Sequence, residues 1–397
     1  MKIAIIGVGT AGITTLSYFL YNAPPNFKIY SIHDPSKPIL GVGESSTTIF
    51  TKNFCNGTKF NILEDGYGQQ LDATLKLGVK YIDWRSHDFY SNLLPGAYGI
   101  TFDNRKLKQF AFDRFEKIWG DKFRIIEGKC DIVENSDQVT LNINHGLHNF
   151  DYVIDCRGFP DSYDDYQLVD MPTNSAIVAN ITGNPDFQWT GHTATRNGWM
   201  FTLNVHSRIS RGYLYNDKLT TINEALDDFE RNYLLTRDAT YNHFDFKSYH
   251  AKSFIKNRVI VNGNKALFYE PIEALSGAFY DTVSEYALSH MLGHIGTQPM
   301  NNQLLDLAHD YISVISYLYQ GGSIYNTPFW RYAKLISKKH LGSSERWKKQ
   351  YKFLKSLSRE QIDHDEIVCM FGSKVWSSWD KHFGYKQMIT GNDSLEW

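Results

Sequence analysis

The chain has 397 residues, enough to bury a sizeable core and to divide into two or three domains. Lysine and arginine number 41 against 43 aspartates and glutamates, so a broad electrostatic interface for nucleic acid is excluded. Four scattered cysteines (Cys55, Cys130, Cys156, Cys369) give neither a zinc-ligand spacing nor a redox pair, and no apolar run reaches the roughly 18 residues that span a bilayer. The expected protein is soluble and cytoplasmic, with no nucleic-acid or membrane partner. Its 25 Tyr, 25 Phe and 9 Trp suit either a tightly packed core or an aromatic-lined pocket.

In chain order, the apolar run from Lys2 to Ile6 predicts a buried strand, with no room before it for a signal sequence. Gly7-Val-Gly9-Thr10-Ala11-Gly12 follows, then a helical pattern through Ile13, Leu16, Phe19 and Leu20. A second strand, Phe27 to Ile32, ends at His33-Asp34. This is the dinucleotide fingerprint in its required context. Gly7 serves the tight turn, Gly9 the approach of the pyrophosphate, Gly12 the helix packing, and Asp34 a ribose hydroxyl. An ADP-containing ligand is expected here.

Gly41-Val-Gly43-Glu44-Ser45-Ser46 reads as a glycine-punctuated loop, open either to a ligand or to simple turn formation. From Leu75 to Tyr81 the alternation of Leu75, Leu77, Val79 and Tyr81 predicts one strand with a buried face, turning Lys76 and Lys80 to the other side. Strands are expected at 125–126, 130–133 and 139–143, and a buried strand from Phe150 leads into Asp155-Cys156-Arg157-Gly158-Phe159. The region 170–250 reads as a β-rich insertion with a helix at 222–234, and contains Gly198-Trp199-Met200-Phe201, Arg208 and Gly212-Tyr213. Strand 259–261 precedes Glu270-Pro271-Ile272-Glu273, whose acids also suit the N-terminal turn of the next helix. Residues 281–320 are helical by period, Asn326-Thr-Pro-Phe-Trp330 follows, and the basic stretch 336–359 reads as a solvated helix face. Trp376, Trp379 and Phe383 are candidates either to stack on an aromatic ligand or to pack in the core.

Taken together, these segments resemble the flavin-dependent halogenases of the tryptophan halogenase type, from Lys2 to about Phe383. GVGES is similar to that family's GVGEAT loop, Asp155 to Phe159 to its IDCxGF element, and Asn326 to Trp330 to its DTPFW signature. The segment at Lys76 is similar to FKxxIKFxNW, whose first lysine, the catalytic one, falls on Lys76. Glu270 to Glu273 matches the start of EPLESTG, which carries the catalytic glutamate over to Glu273. The chain also departs from the family. Ser91-Asn92-Leu93 replaces a pocket His and Phe, Phe201 replaces the second Trp of GWxWxIP, Asn204 its Pro, and Ala274 the serine after the glutamate.

The resemblance implies an α/β fold of three parts. A glutathione-reductase-type Rossmann FAD module would comprise 1–169 and 251–300, a β-rich substrate domain 170–250, and a helical region covering the pocket 301–397. It further implies FAD contacts at Gly7, Gly9, Thr10, Ala11, Gly12, Asp34, Gly43, Glu44, Ser45, Cys130 and Asn264. A halide (chloride, bromide or iodide) would sit at Leu275, Ser276 and Gly277, and a substrate pocket at Leu93, Trp199, Phe201, Trp376, Trp379 and Phe383. No metal is expected. FADH2 from a separate flavin reductase, with O2 and halide, would provide hypohalous acid for an indole- or phenol-like arene, with Lys76 holding the electrophile and Glu273 as base. An aromatic monooxygenase and a flavin-binding protein without catalysis are the other two readings, and a homo-oligomer is compatible with all three.

Overall fold

β1 (Lys2–Ile6) is an unbroken apolar run because both of its faces are covered: Ile3, Ala4 and Ile5 have no exposed surface. In the computed structural model, which describes residues 1–356 except 40, 42–43, 65, 86–87, 94–95, 183–187 and 234–240, β1 pairs in parallel with β2 (Lys28–His33) and with Tyr152–Asp155. Phe123–Glu127 extends the sheet beyond β2 and Val259–Val261 beyond Tyr152–Asp155, both in parallel. α1 (Thr10–Asn22) makes the crossover from β1 to β2 and buries Ile13, Leu16, Phe19 and Leu20 completely. The three antiparallel strands Cys130–Asn135, Val139–Ile143 and Gly146–Phe150 are inserted before the sheet strand Tyr152–Asp155. This is the expected Rossmann-type nucleotide-binding architecture.

A second, seven-stranded sheet runs in the order Tyr241–Asp245, Ser175–Thr182, Arg208–Tyr215, Gly198–Val205, Thr190–Thr195, β4 (Gly78–Ile82) and β5 (Phe89–Asn92). β4 and β5 therefore join the sheet built by 170–250, although they come from the first 169 residues. The single strand expected across Leu75 to Tyr81 is two. β3 (Thr74–Lys76) pairs with β6 (Gly99–Thr101) in a separate two-stranded sheet, while β4 pairs with Thr190–Thr195. The break falls at Leu77–Gly78, where a Cβ on Gly78 would lie 2.8 Å from the Cα of Asn92. Because of it the alternation does not carry through. Lys76 is 5% exposed while Leu75 and Leu77 are only half-buried, the reverse of the expected facing.

The helix expected at 222–234 is found at Ile222–Tyr233, and the 281–320 pattern is two helices, Leu275–Met291 and Thr297–Gly321. The helix Pro328–Ser343 starts with Thr327 as its cap and Pro328 in its first turn. Trp330 Nε1 then donates to the Thr195 carbonyl at 2.8 Å, fastening the helical region to the seven-stranded sheet. Among the described residues no helix is long and apolar enough to cross a membrane.

Candidate active site

The first half of the site is made of backbone. Gly7 has φ +101°, and a Cβ there would meet the Cys156 carbonyl oxygen at 2.8 Å, so no other residue fits the turn. Gly9 is the N-cap of α1 and gives it no side-chain cap; space around it is open, and the first turn holds no acid. The first-turn N–H groups are therefore available to an anion. Gly12 packs against Gly7, and Gly263 (φ +66°) brings the strand Val259–Val261 onto Ala11. Asp34, at the end of β2, accepts from Ser36 N and Oγ at 2.9 and 2.7 Å, bonds that hold its carboxyl below the usual range and keep it ionised. Thr10 donates to Asn104 at 3.1 Å, Asn264 Oδ1 accepts from Tyr280 at 2.9 Å, and the Cys130 carbonyl accepts from Arg157 at 2.9 Å. A glycine cradle, an uncapped helix start and an ionised acceptor on β2 fit the ADP half of FAD. Gly43 lies outside the described residues.

The loop that follows is anchored by charge. Glu44 is wholly buried, and its two oxygens take both terminal nitrogens of Arg208, whose Nη1 also donates to Asn180 at 2.7 Å. Burial raises the Glu44 carboxyl and Arg208 opposes the rise. The Glu44 side chain is thus committed to Arg208, and its value to the site is in fixing the loop. Ser45 pairs with Thr101 and meets Thr190 Oγ1 at 3.2 Å; Ser46 exchanges bonds with Ile100 at 2.8 and 3.0 Å.

The second half is made of side chains, and Ser46 joins the two. Its carbonyl accepts from Lys76 Nζ at 3.1 Å. Burial brings the Lys76 ammonium down to about 8, with the charge of Glu273 resisting the fall. Glu273 is pushed up by its own burial, against the hydrogen bond from Tyr81 and the charge of Lys76. The two candidates predicted from distant motifs thus lie within one another's field, and no ion pair closes between them. Tyr81, on β4, donates its hydroxyl to Glu273 Oε1. Its ring has no exposed surface and is stacked on Phe89 at 4.8 Å. His192, opposite Tyr81 in the register, lies edge-on to it at 5.3 Å. Burial first, then Lys76, brings the His192 imidazole down to about 3, so it is neutral.

Glu273 is held by an unusual backbone. It has φ 60°, ψ 8°, and the next residue, Ala274, has φ 53°, ψ 32°. Two successive left-handed residues without a glycine cost about 1–3 kcal/mol each, which the surrounding packing sustains. Part of that support is Glu270. It is 1% exposed and accepts from Thr173 and Tyr319 at 2.6 Å each, and burial pushes it up to about 7 against those two bonds. The helix beginning at Leu275 has no side-chain cap and no acid in its first turn, and open space surrounds Gly277. Leu275 is buried, Ser276 and Gly277 half-buried.

The expected pocket residues divide. Leu93 directly follows β5, bonded through its N–H to the Leu77 carbonyl at 2.8 Å. Phe201 is half-buried and lies over Gly212, which has no Cβ to obstruct the ring. Trp199 is wholly enclosed, edge-on to His192 at 4.9 Å and to Trp84 at 6.4 Å, so it backs the site from within the core. Trp376, Trp379 and Phe383 lie outside the described residues. Sequence reasoning missed Tyr81, Ser46 and His192. Tyr81 stands at the Phe of FKxxIKFxNW and could have been noticed; a lone His between glycine and threonine gives no signal.

The chain is similar to known proteins along most of its length. The family model described as Tryptophan halogenase matches residues 2–129 and 123–384. The tryptophan 6-halogenase ThaL of Streptomyces albogriseolus is 22% identical over 83% of this chain and 78% of its own length. The tryptophan 7-halogenase RebH of Lentzea aerocolonigenes is 21% identical over the same shares. Among solved structures, a tryptophan halogenase from Shewanella frigidimarina superposes with a TM-score of 0.77 at 16% identity, covering 96% of this chain and 88% of that one. BrvH, a flavin-dependent halogenase from Brevundimonas sp. BAL3, gives 0.76 at 17% identity over 96% and 90%. With a family match that runs nearly from end to end, this chain belongs to the tryptophan halogenase family.

Proposed function

We propose that the protein is an FADH2-dependent halogenase that places a halogen on an electron-rich aromatic ring, indole- or phenol-like, with FADH2 from a separate flavin reductase. Reduced FAD, O2 and halide supply hypohalous acid when the cofactor is bound. The chain's own residues do the rest. The open first turn at Leu275, Ser276 and Gly277 offers backbone N–H groups to a halide. Lys76 keeps one N–H on Ser46 and has two more with which to hold the oxygen of the hypohalous acid.

The ring attacks the halogen, the halogen–oxygen bond breaks, and a proton from Lys76 turns the departing hydroxide into water. Glu273 stabilises the ring cation and takes its proton as rearomatisation completes the substitution. Returning that proton to Lys76 resets the pair. The step needs an ammonium and a carboxylate on either side of the reacting carbon, and a general base of this kind contributes roughly 10²–10⁴-fold. The observation that carries the reading is that Lys76 and Glu273, taken from distant motifs, come close enough for each charge to act on the other's ionisation.

The test is a panel of indoles and phenols incubated with FAD, a reductase and chloride, bromide or iodide, read by mass spectrometry. A product carrying the isotope pattern of the added halide supports the reading. Gain of one oxygen irrespective of halide would make the protein a monooxygenase, and flavin retention with no oxygen-dependent product would leave it a flavin-binding protein.

A further inference from the structure

The Lys76–Glu273 pocket contains a group that the family pattern does not carry. The pattern has a phenylalanine where this chain has Tyr81, and a serine where it has Ala274. The two exchanges meet at one carboxylate. Ala274 offers Glu273 no side-chain donor, and the backbone at both residues is left-handed. Tyr81 meets it from across the pocket and donates to Oε1. We propose that Tyr81 is a positioning residue that aims the Glu273 carboxylate at Lys76, taking over the side-chain support that Ala274 cannot give.

Three observations fix Tyr81 in this role. Its ring is immobilised by a near-parallel stack on Phe89 (4.8 Å, 10°) and edge contacts with Trp84 (5.7 Å) and His192 (5.3 Å). It stands on β4, immediately past the break that separates it from Lys76 on β3, so lysine and phenol come from one short segment and keep a set spacing. Burial, then Glu273, pushes its hydroxyl well above the usual phenol range, so it remains a donor at any working pH. Among the described residues, Lys76 and Tyr81 are the titratable groups acting on Glu273, and His192 faces both of them. A hydrogen bond given to a carboxylate favours its ionised, base-competent form. Loss of this bond therefore raises the Glu273 pKa and frees the carboxylate to turn away from the ring.

The inference rests on Glu273 being the base, and the experiment separates the two claims. Glu273 is titrated in the FAD-loaded protein by carbon-13-edited infrared spectroscopy, its band assigned with Glu273→Gln, for the parent, Tyr81→Phe and a protein carrying 3,5-difluorotyrosine at position 81. Tyr81→Phe should raise the Glu273 pKa by about one unit or more. The fluorinated phenol, a stronger donor of nearly the same shape, should lower it and keeps the test decisive if the phenylalanine variant folds poorly. With an arene from the halide panel, Tyr81→Phe should cost about 10- to 100-fold in kcat with KM changed less than about twofold. It should also shift the acid limb of the rate profile upward and leave hypohalous acid formation at the parent rate. Tyr81→Phe combined with Ala274→Ser should recover part of the loss. An unmoved Glu273 titration in both variants overturns the role of Tyr81. Full halogenation by Glu273→Gln overturns the base assignment instead.

Discussion

The nucleotide end and the Lys76–Glu273 pocket are built on opposite principles. At the nucleotide end the working groups are backbone N–H donors set by glycines within six consecutive residues, and side chains matter by being absent. In the proposed Lys76–Glu273 site they are long side chains from distant parts of the chain, each held by a partner: Lys76 by Ser46, Glu273 by Tyr81. The first kind of site tolerates change almost anywhere except at its glycines. The second depends on remote packing, and burial shifts both of its charges toward neutrality. On the proposed reading, one would recognise a ligand by shape and the other would hold unfavourable electrostatics for use in a reaction.

The sharpest way to break this contrast is at the pocket. Lys76→Ala should abolish detectable halogenation while hypohalous acid still forms at the parent rate, and Glu273→Gln should cost roughly 10²–10⁴-fold in kcat. Both are checked by product mass alongside a diffusible halogen trap. A parent rate in either variant would remove that residue from the chemistry. Next in size is the joint between the two ends. Arg208→Met leaves Glu44 buried without its partner, so we expect a loss of about 3–5 kcal/mol in denaturant unfolding together with weaker FAD binding.

Gly7→Ala attacks the backbone site alone. With φ +101° and the Cys156 carbonyl in the way, it should destabilise the chain by about 1–3 kcal/mol and weaken FAD retention, with the Glu273 titration unmoved in the protein that still binds flavin. The smallest effect has the opposite sign. Lys76 has a folded value near 8, below the ordinary lysine value of 10.5, so between these values the unfolded chain binds more protons. Stability therefore rises as pH increases through that window, and below it the full penalty applies. Lys76→Met should raise the thermal midpoint at pH 7, by about 1 kcal/mol in stability, and the gain should shrink toward pH 10. A lysine that stabilises the fold at pH 7 would contradict this account.

How much was legible follows from the same contrast. The cradle could be read directly, because the turn, the helix and Asp34 are neighbours in sequence and glycine spacing is itself the signal. Lys76 and Glu273 were singled out through motifs, but the facing of Lys76 was not legible. A period-two pattern assumes one continuous strand, and here Leu77–Gly78 hands the chain from one sheet to another. Glu44 and Arg208 were each singled out, yet their pairing across 164 residues carries no local trace. Trp199 read as a pocket aromatic is a core aromatic, since burial depends on what the fold stacks around it.

The handover at Leu77–Gly78 has a consequence for anyone reshaping this enzyme. Side chains on a strand alternate faces residue by residue, so one insertion there would turn either the ammonium or the phenol out of the pocket. The segment from Thr74 to Ile82 has a frozen length, like a hinge plate drilled at both ends. Changes of length have to be introduced beyond it, where added residues leave the drilled spacing intact.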